Sequence, residues 1–236
     1  MGRNNYFRFK QFTIVQELSA MRVGVDGVVL GAWANTTGRQ SVLDVGTGTG
    51  LLALMTAQRS EASVTAIDID EPSCREAQQN AQNSPWAGRI RVIHISLQEM
   101  AQNDHLKFNA IISNPPYFVN SSRPEDIRRS SARHNDHLSF SDFITGSRQL
   151  LLPGGTISVI LPADTAAIFV STAHDHGFYL NRITRLRHYP DRVFHRYLME
   201  FSDQNDPLAE SVLTIDSGNG FTEEYRNLTR DFYLAF

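Results

Sequence analysis

The stretch that most constrains the fold is SVLDV-GTGTG-LLALMTAQR, residues 41–59. A short apolar run with two β-branched valines reads as a buried strand. Three alternating glycines then break it, and an apolar segment of helical character follows. Such a strand, tight loop and helix cannot bury both faces alone, so more units of the same kind must follow. They do. SVTAID (63–68) reads as a second strand and EPSCREAQQNAQN (71–83) as a helix with Pro72 in its first turn. RIRVIHI (89–95), FNAIIS (108–113) and TISVIL (156–161) read as further strands. A helix is predicted over 139–155, stopping at Pro153-Gly154-Gly155, and another over 163–177. Two more strands, YLMEFS (197–202) and SVLTI (211–215), lie in the tail, and the alternating YFRFKQFTIV (6–15) reads as a β-ribbon.

Strands alternating with helices predict an α/β fold with a mostly parallel, doubly wound sheet. Ligands in such sheets bind beyond the carboxyl ends of the strands, near the switch point of strand order. The residues directly after each early strand are therefore the candidates for function.

After the first strand stand Gly46, Gly48 and Gly50, spaced G-x-G-x-G, with Asp44 two residues before them. The dinucleotide fingerprint is G-x-G-x-x-G, and its third position here is Leu51. Glycines let a backbone approach a ligand, and the next helix offers free N–H groups to a carboxylate or a phosphate. Asp68 closes the second strand, where an acid can accept both hydroxyls of a ribose. After the fourth strand comes Asn114-Pro115-Pro116-Tyr117. The prolines must end that strand, since proline lacks an N–H and has a fixed φ.

Composition excludes several alternatives. The chain has 236 residues, of which 41% are hydrophobic, enough for a sizeable core. No run reaches the roughly 18 apolar residues that span a bilayer, and MGRNNYFRFKQF lacks the apolar region of a secretory signal. The single cysteine, Cys74, permits no internal disulfide, so a cytoplasmic location is expected. Its helix carries no metal-spaced partner, and the eight His show no zinc spacing with it, so no metal is expected. Net charge is −3, but residues 122–196 hold ten Arg against seven Asp and Glu. Arginine both stacks on bases and forks onto phosphates.

The Asp-x-Gly-x-Gly-x-Gly pattern resembles motif I of class I S-adenosylmethionine-dependent methyltransferases. This implies a Rossmann-like, seven-stranded sheet with one antiparallel strand. It also implies S-adenosylmethionine as cofactor, leaving as S-adenosylhomocysteine. Asp26, Asp44, Gly46, Gly48, Gly50, Asp68 and Asn114 are then cofactor-site candidates. The family commonly has Asp after the third strand to hold adenine. Ser96 stands there, so either its hydroxyl or the backbone of Leu97 is expected to serve. The Asn-Pro-Pro-Tyr stretch resembles motif IV of enzymes that methylate planar nitrogens. An exocyclic amine is a poor nucleophile because its lone pair is delocalised. Acceptors at Asn114 Oδ1 and the Pro115 carbonyl would draw on its hydrogens and free that pair, with Pro116 holding the mount rigid. Tyr117 would stack on the flipped base.

Residues 7–34, 43–59, 83–90, 111–118 and 228–236 resemble the bacterial tRNA(Val) adenine N6-methyltransferases, which modify the adenine 3′ of the anticodon at position 37. The resemblance implies one methyltransferase domain over 1–236. Residues 1–35 form an extension over the cofactor site, and residues 41–236 form the core. The segment around Asp26 and Gly27 would pack over the cofactor, with Val25 where the family places Thr. It further implies tRNA phosphate contacts from Arg128, Arg129, Arg133, Arg182, Arg185, Arg187, Arg192 and Arg196. An rRNA base amine, a release-factor glutamine amide, or a non-catalytic role in binding cofactor and RNA are the alternatives. The short N-terminal segment counts against the glutamine enzymes, and the intact Gly46, Gly48, Asp68 and Asn114 set counts against the last. The sequence leaves the oligomeric state open.

Overall fold

The computed structural model describes residues 4–102, 106–115 and 138–236. A two-stranded antiparallel ribbon, β1 (Tyr6–Arg8) and β2 (Thr13–Val15), opens the chain and leads to helix α1 (Val25–Trp33). Then follow β3 (Ser41–Val45), α2 (Leu51–Arg59), β4 (Ser63–Asp68), α3 (Glu71–Gln82), β5 (Ile90–His94), α4 (Leu97–Ala101) and β6 (Phe108–Ser113). Beyond residue 137 come α5 (Phe140–Leu150), β7 (Leu151–Pro162), α6 (Ala163–Asp175), β8 (Tyr179–Arg187), β9 (Arg196–Ser202), β10 (Ala209–Thr214) and α7 (Glu223–Thr229).

The main sheet runs β10-β8-β9-β7-β6-β3-β4-β5. Every pairing is parallel except those of β9, which is antiparallel to both neighbours. The chain winds outward from β3 to β5, then returns to the other side of β3 at β6. The crevice between β3 and β6 is the switch point, and the ends of β3, β4 and β6 carry Gly46, Asp68 and Asn114.

Two expectations change. The sheet has eight strands rather than seven, because β8 inserts between β9 and β10. The helix expected over 139–155 ends at Leu150, and Leu151-Leu152-Pro153-Gly154-Gly155 already belongs to β7. A register shift between Phe108 and Ala110 lets β6 accommodate that irregular start. The strand β8 went unread in the sequence because its arginines mask its alternation.

Side chains alternate across each strand and so feed two cores. Leu43, Ile67, Ile111, Ile157 and Phe201 face one core, under α4, α5 and α6. Val42, Ile112, Ile160 and Leu198 face the other, under α1 and α7. Chain ends close this second side. Phe9 stacks on Phe12 at 4.6 Å and on Tyr233 at 6.1 Å, and Phe12 meets Trp86 edge-on. The Lys10 amide donates to the Phe232 carbonyl, which ties the ribbon to the C-terminus.

Helix α1 approaches α2 closely through glycine. A Cβ on Gly31 would meet Met55 Sδ at 2.6 Å, and one on Gly27 would meet Leu51 Cδ2 at 2.9 Å. Gly27 and Gly31 are one turn apart, as are Leu51 and Met55, so two matching faces interlock. Gly31→Val is expected to cost about 2 kcal/mol and lower Tm by about 5 °C. Adding Met55→Ala should recover part of that loss, measured by thermal denaturation of the single and double variants.

Candidate functional site

Gly46, Gly48 and Gly50 all adopt positive φ, at 72°, 53° and 84°. That region strains any residue with a Cβ, which is why glycine recurs at every second position. Gly50 presses against α3, where an added Cβ would lie 3.2 Å from Ala77 Cβ. A Cβ at Gly46 or Gly48 would meet nothing within 4 Å. The loop is tied down from beneath and from the side. The Gly46 and Thr47 amides donate to the Ile67 carbonyl at 2.9 and 3.0 Å. Thr47 Oγ1 and the Ala53 amide both donate to Asp44 Oδ2, at 2.6 and 3.1 Å. The Gly48 amide donates to Asp68 Oδ2 at 2.9 Å, and the Asp70 amide to Asp68 Oδ1 at 3.0 Å.

Two cavities flank this loop. One of about 270 Å³ is lined by Asp68, Ile69, Asp70, Ile95, Ser96 and Leu97, among others. The second, of about 330 Å³, is lined by Val25, Asp26, Gly27, Thr47, Thr49 and Arg196, among others. Met21, Gly46, Gly48 and Asn114 line both. Asn114 therefore stands at their junction. Its Oδ1 is buried and has no hydrogen-bond partner among the described residues. Other buried polar atoms also lack a partner, Gln58 Oε1 and Asp44 Oδ1 among them, but Asn114 alone of these residues lines both cavities.

A strap from the N-terminal segment lines this junction, held by bonds that local sequence pattern does not show. Glu76, 1% exposed on α3, accepts the backbone amides of Glu17, Leu18 and Ser19. The Val23 amide donates to Gln16 Oε1 at 3.0 Å and closes the strap into a loop. Asn80 accepts from the Val15 amide and donates to the Thr49 carbonyl, joining strap, helix and glycine loop. Ala20 and Met21 are thereby held at the cavity wall.

A model of the methyltransferase small domain matches residues 28–167. The chain is 43% identical to a tRNA1(Val) (adenine(37)-N6)-methyltransferase of Parabacteroides distasonis, over 98% of each chain. It is 42% identical to one of the same name in Pseudoalteromonas translucida, over 97% of this chain and 98% of the relative. The chain belongs to the tRNA1(Val) (adenine(37)-N6)-methyltransferase family. The fold recurs in more distant solved structures. A protein of Agrobacterium tumefaciens described as a predicted O-methyltransferase superposes with a TM-score of 0.68 at 20% identity, over 88% of this chain and 96% of that one. TrmN from Thermus thermophilus superposes at 0.55 and 22% identity, over 75% of this chain and 48% of that one.

Within this family member, the sequence candidates fall into three groups. Asp26, Gly46, Gly48, Asp68, Ser96, Leu97, Asn114 and Pro115 line the cavities. Asp44 and Gly50 do not. Asp44 is 1% exposed beneath the loop and acts as its anchor, and Gly50 supplies the turn into α2. Ser96 lines the first cavity, but its hydroxyl is engaged in a capping box. It accepts from the Glu99 amide at 3.1 Å and bonds to the Glu99 carboxylate at 2.7 Å. Pro116, Tyr117, Arg128, Arg129 and Arg133 lie outside the described residues.

Several of the remaining arginines are committed within the fold. Arg182 stacks on Trp33 with its Cζ 3.6 Å from the ring centroid and pairs with Glu200 at 3.0 Å. Arg185 pairs with Glu210 at 2.6 Å, and Arg187 bonds to the Thr214 hydroxyl and the Pro190 carbonyl. Arg196 Nε bonds to Asp26 Oδ2 at 2.7 Å. Arg182, Arg185 and Arg196 are each paired with a carboxylate, whereas Arg187 bonds only to neutral groups and keeps its charge uncompensated by these contacts. Among the described residues, no group of His, Cys, Asp and Glu could hold a metal ion, and no helix is long and apolar enough to cross a membrane.

Complete burial pushes the Asp44 carboxyl up to about 7, against the opposing pull of the Thr47 and Ala53 hydrogen bonds. The folded protein thus holds a proton on Asp44 that the unfolded chain releases near pH 4. Its stability falls as pH rises from about 4 through 7. Asp44→Asn carries no such charge. The variant is expected to gain stability over the wild type between pH 5 and pH 8, on the order of a few kcal/mol, measured by urea denaturation across that range. An offset that does not change with pH would contradict the assignment.

Proposed function

We propose that the chain transfers the methyl group of S-adenosylmethionine to N6 of adenine 37 in tRNA1(Val). The observation that carries this reading is the buried, partnerless Oδ1 of Asn114 at the junction of the two cavities. The names of the relatives at 42–43% identity supply the substrate.

The residues present fit the cofactor. Gly46 and Gly48 carry no Cβ where one would stand in open space, so a ligand can come against the loop backbone, and Asp68 keeps acceptor capacity at the cavity wall for a pair of ribose hydroxyls. Ile69 is 58% exposed directly after Asp68, unusual for an isoleucine, and offers an apolar face to a purine. With the Ser96 hydroxyl engaged in capping, the Leu97 amide at the start of α4 is the donor proposed for the adenine ring. The cofactor supplies an electrophilic methyl on a sulfonium, a leaving group that needs no acid.

The protein's own part is to prepare the amine. Asn114 Oδ1 accepts one N6 hydrogen and the Pro115 carbonyl accepts the other. That draws the nitrogen toward tetrahedral geometry and releases its lone pair for in-line attack. Acceptors carried on a stiff Asn-Pro-Pro mount keep the reorganisation needed during reaction small. On the sequence motif, Pro116 stiffens this mount and Tyr117 stacks on the extruded base. The reading treats residues 1–236 as one working unit, with the strap from the N-terminal 35 residues as part of the site. It places the work in the cytoplasm, where tRNA is found.

Incubation with methyl-labelled S-adenosylmethionine and unmodified tRNA1(Val) transcript, followed by nucleoside mapping, is expected to yield N6-methyladenosine at position 37. A transcript with guanine at that position should take up no label. Asn114→Ala is expected to lower kcat/KM by about 100-fold or more while cofactor affinity changes little. Label on guanine, or full activity in Asn114→Ala, would overturn the reading.

A further inference from the structure

The turn between β8 and β9 leads to Arg196 in the wall of the second cavity, and none of residues 188–195 is among the residues that line either cavity. Residues 188–193 are all exposed. Val193 is the most exposed large apolar side chain among the described residues, at 83%. Three residues later the chain reaches Arg196 in the cavity wall, so the valine lies within about 10 Å of chain from the site. Singly exposed apolar side chains are common, but this one combines the highest exposure with closeness along the chain to a cavity wall.

The turn is firmly built. The Arg192 amide donates to the Tyr189 carbonyl at 3.1 Å, and the Arg187 guanidinium bonds to the Pro190 carbonyl. Arg187 also lies over the Phe194 ring at 5.4 Å. The His195 amide donates to the Leu186 carbonyl, and the Asp216 amide to the His188 carbonyl, which fixes both legs. Val193 therefore projects from a rigid mount rather than a loose loop.

Charge says what the partner is. Residues 182–196 contain five arginines and a single acid, Asp191. Arg182, Arg185, Arg187 and Arg196 are engaged within the fold. Arg192 makes no side-chain hydrogen bond or ion pair among the described residues, so its guanidinium is free one residue from Val193. A bare aliphatic group beside a free guanidinium matches a nucleic-acid strand, with bases for the one and a phosphate for the other.

We propose that Val193 is a wedge that enters the base stack beside the target adenine as it leaves, and that Arg192 holds the phosphate next to it. This rests on the RNA reading above. Extruding a base exposes the faces of its neighbours, and apolar side chains inserted at such steps replace the lost stacking. The wedge matters only where a stack exists to be opened. A structured anticodon loop needs it, and an unstructured oligonucleotide bearing the same adenine does not.

The test compares Val193→Ala, Val193→Asp and Val193→Leu on full tRNA and on a short unstructured RNA with the same target sequence. On tRNA, Val193→Ala should lose roughly tenfold in kcat/KM and Val193→Asp more, with Val193→Leu near wild type. On the short RNA all three should match the wild type, as should their Tm. Arg192→Gln should reduce the slope of log affinity against log salt by about one. Undiminished activity of Val193→Asp on tRNA, or equal losses on both RNAs, overturns the wedge alone. A wild-type enzyme that methylates no RNA adenine overturns the proposed function and the wedge with it.

Discussion

The site depends on two carboxylates at the ends of neighbouring strands that hold one glycine loop. Asp44 grips the loop from below through Thr47 and Ala53, and Asp68 grips Gly48 from the side. Their positions follow from the parallel register, in which Asp44 lies beside Ala66, two residues before Asp68. A loop with glycine at three positive-φ positions makes the tight turn from β3 into α2 and puts side-chain-free backbone at the cavities. The acids divide the labour. Asp44 is sealed off and spends its contacts on the loop, whereas Asp68 reaches the cavity and retains capacity for a ligand.

The strap follows from the same elements. Helix α3 leaves the end of β4 directly after Asp68, capped by Asp70 with Pro72 in its first turn. The carboxylate that gathers the strap, Glu76, thus rides on the helix that begins just after Asp68. Three amide donors converge on it. Charge-assisted bonds of this kind are stronger than neutral ones, and a buried carboxylate needs them. The aromatic cluster of Phe9, Phe12, Trp86 and Tyr233 then fixes where the strap begins.

What could be read from the sequence was what local pattern encodes. SVLDV-GTGTG, SVTAID and FNAIIS are runs whose burial and endings are decided within a few residues, and each lies where expected. Features set by distant partners were hidden. Strand β8 looks like a charged loop until Trp33, Glu200 and Glu210 are seen to meet its arginines. Pro153-Gly154-Gly155 looked like a helix stop, but β6 pairs with the segment through a register shift. Glu76 is one acid among several on a polar helix, and its partners lie 57 to 59 residues earlier. One signal was local and was overlooked. Ser96-Leu97-Gln98-Glu99 is a capping box in plain sequence, and it commits the serine before any adenine arrives.

The orphan oxygen of Asn114 shows why so much structure surrounds so small a group. An unsatisfied buried acceptor costs roughly 1–3 kcal/mol, and the chain could relieve it by a rotamer change or by local loosening. Neither is open here. Ser113 is locked to the Val45 carbonyl at 2.7 Å, Pro115 restricts the backbone of Asn114 before it, and Gly27 leaves 4.0 Å between its absent Cβ and Asn114 Nδ2. The interlocked α1 and α2, the pinned loop and the strap together hold the amide in place. On the proposed reading, an acceptor held desolvated in this way would bond the amine most strongly in the transition state, where the cost of keeping it bare is recovered.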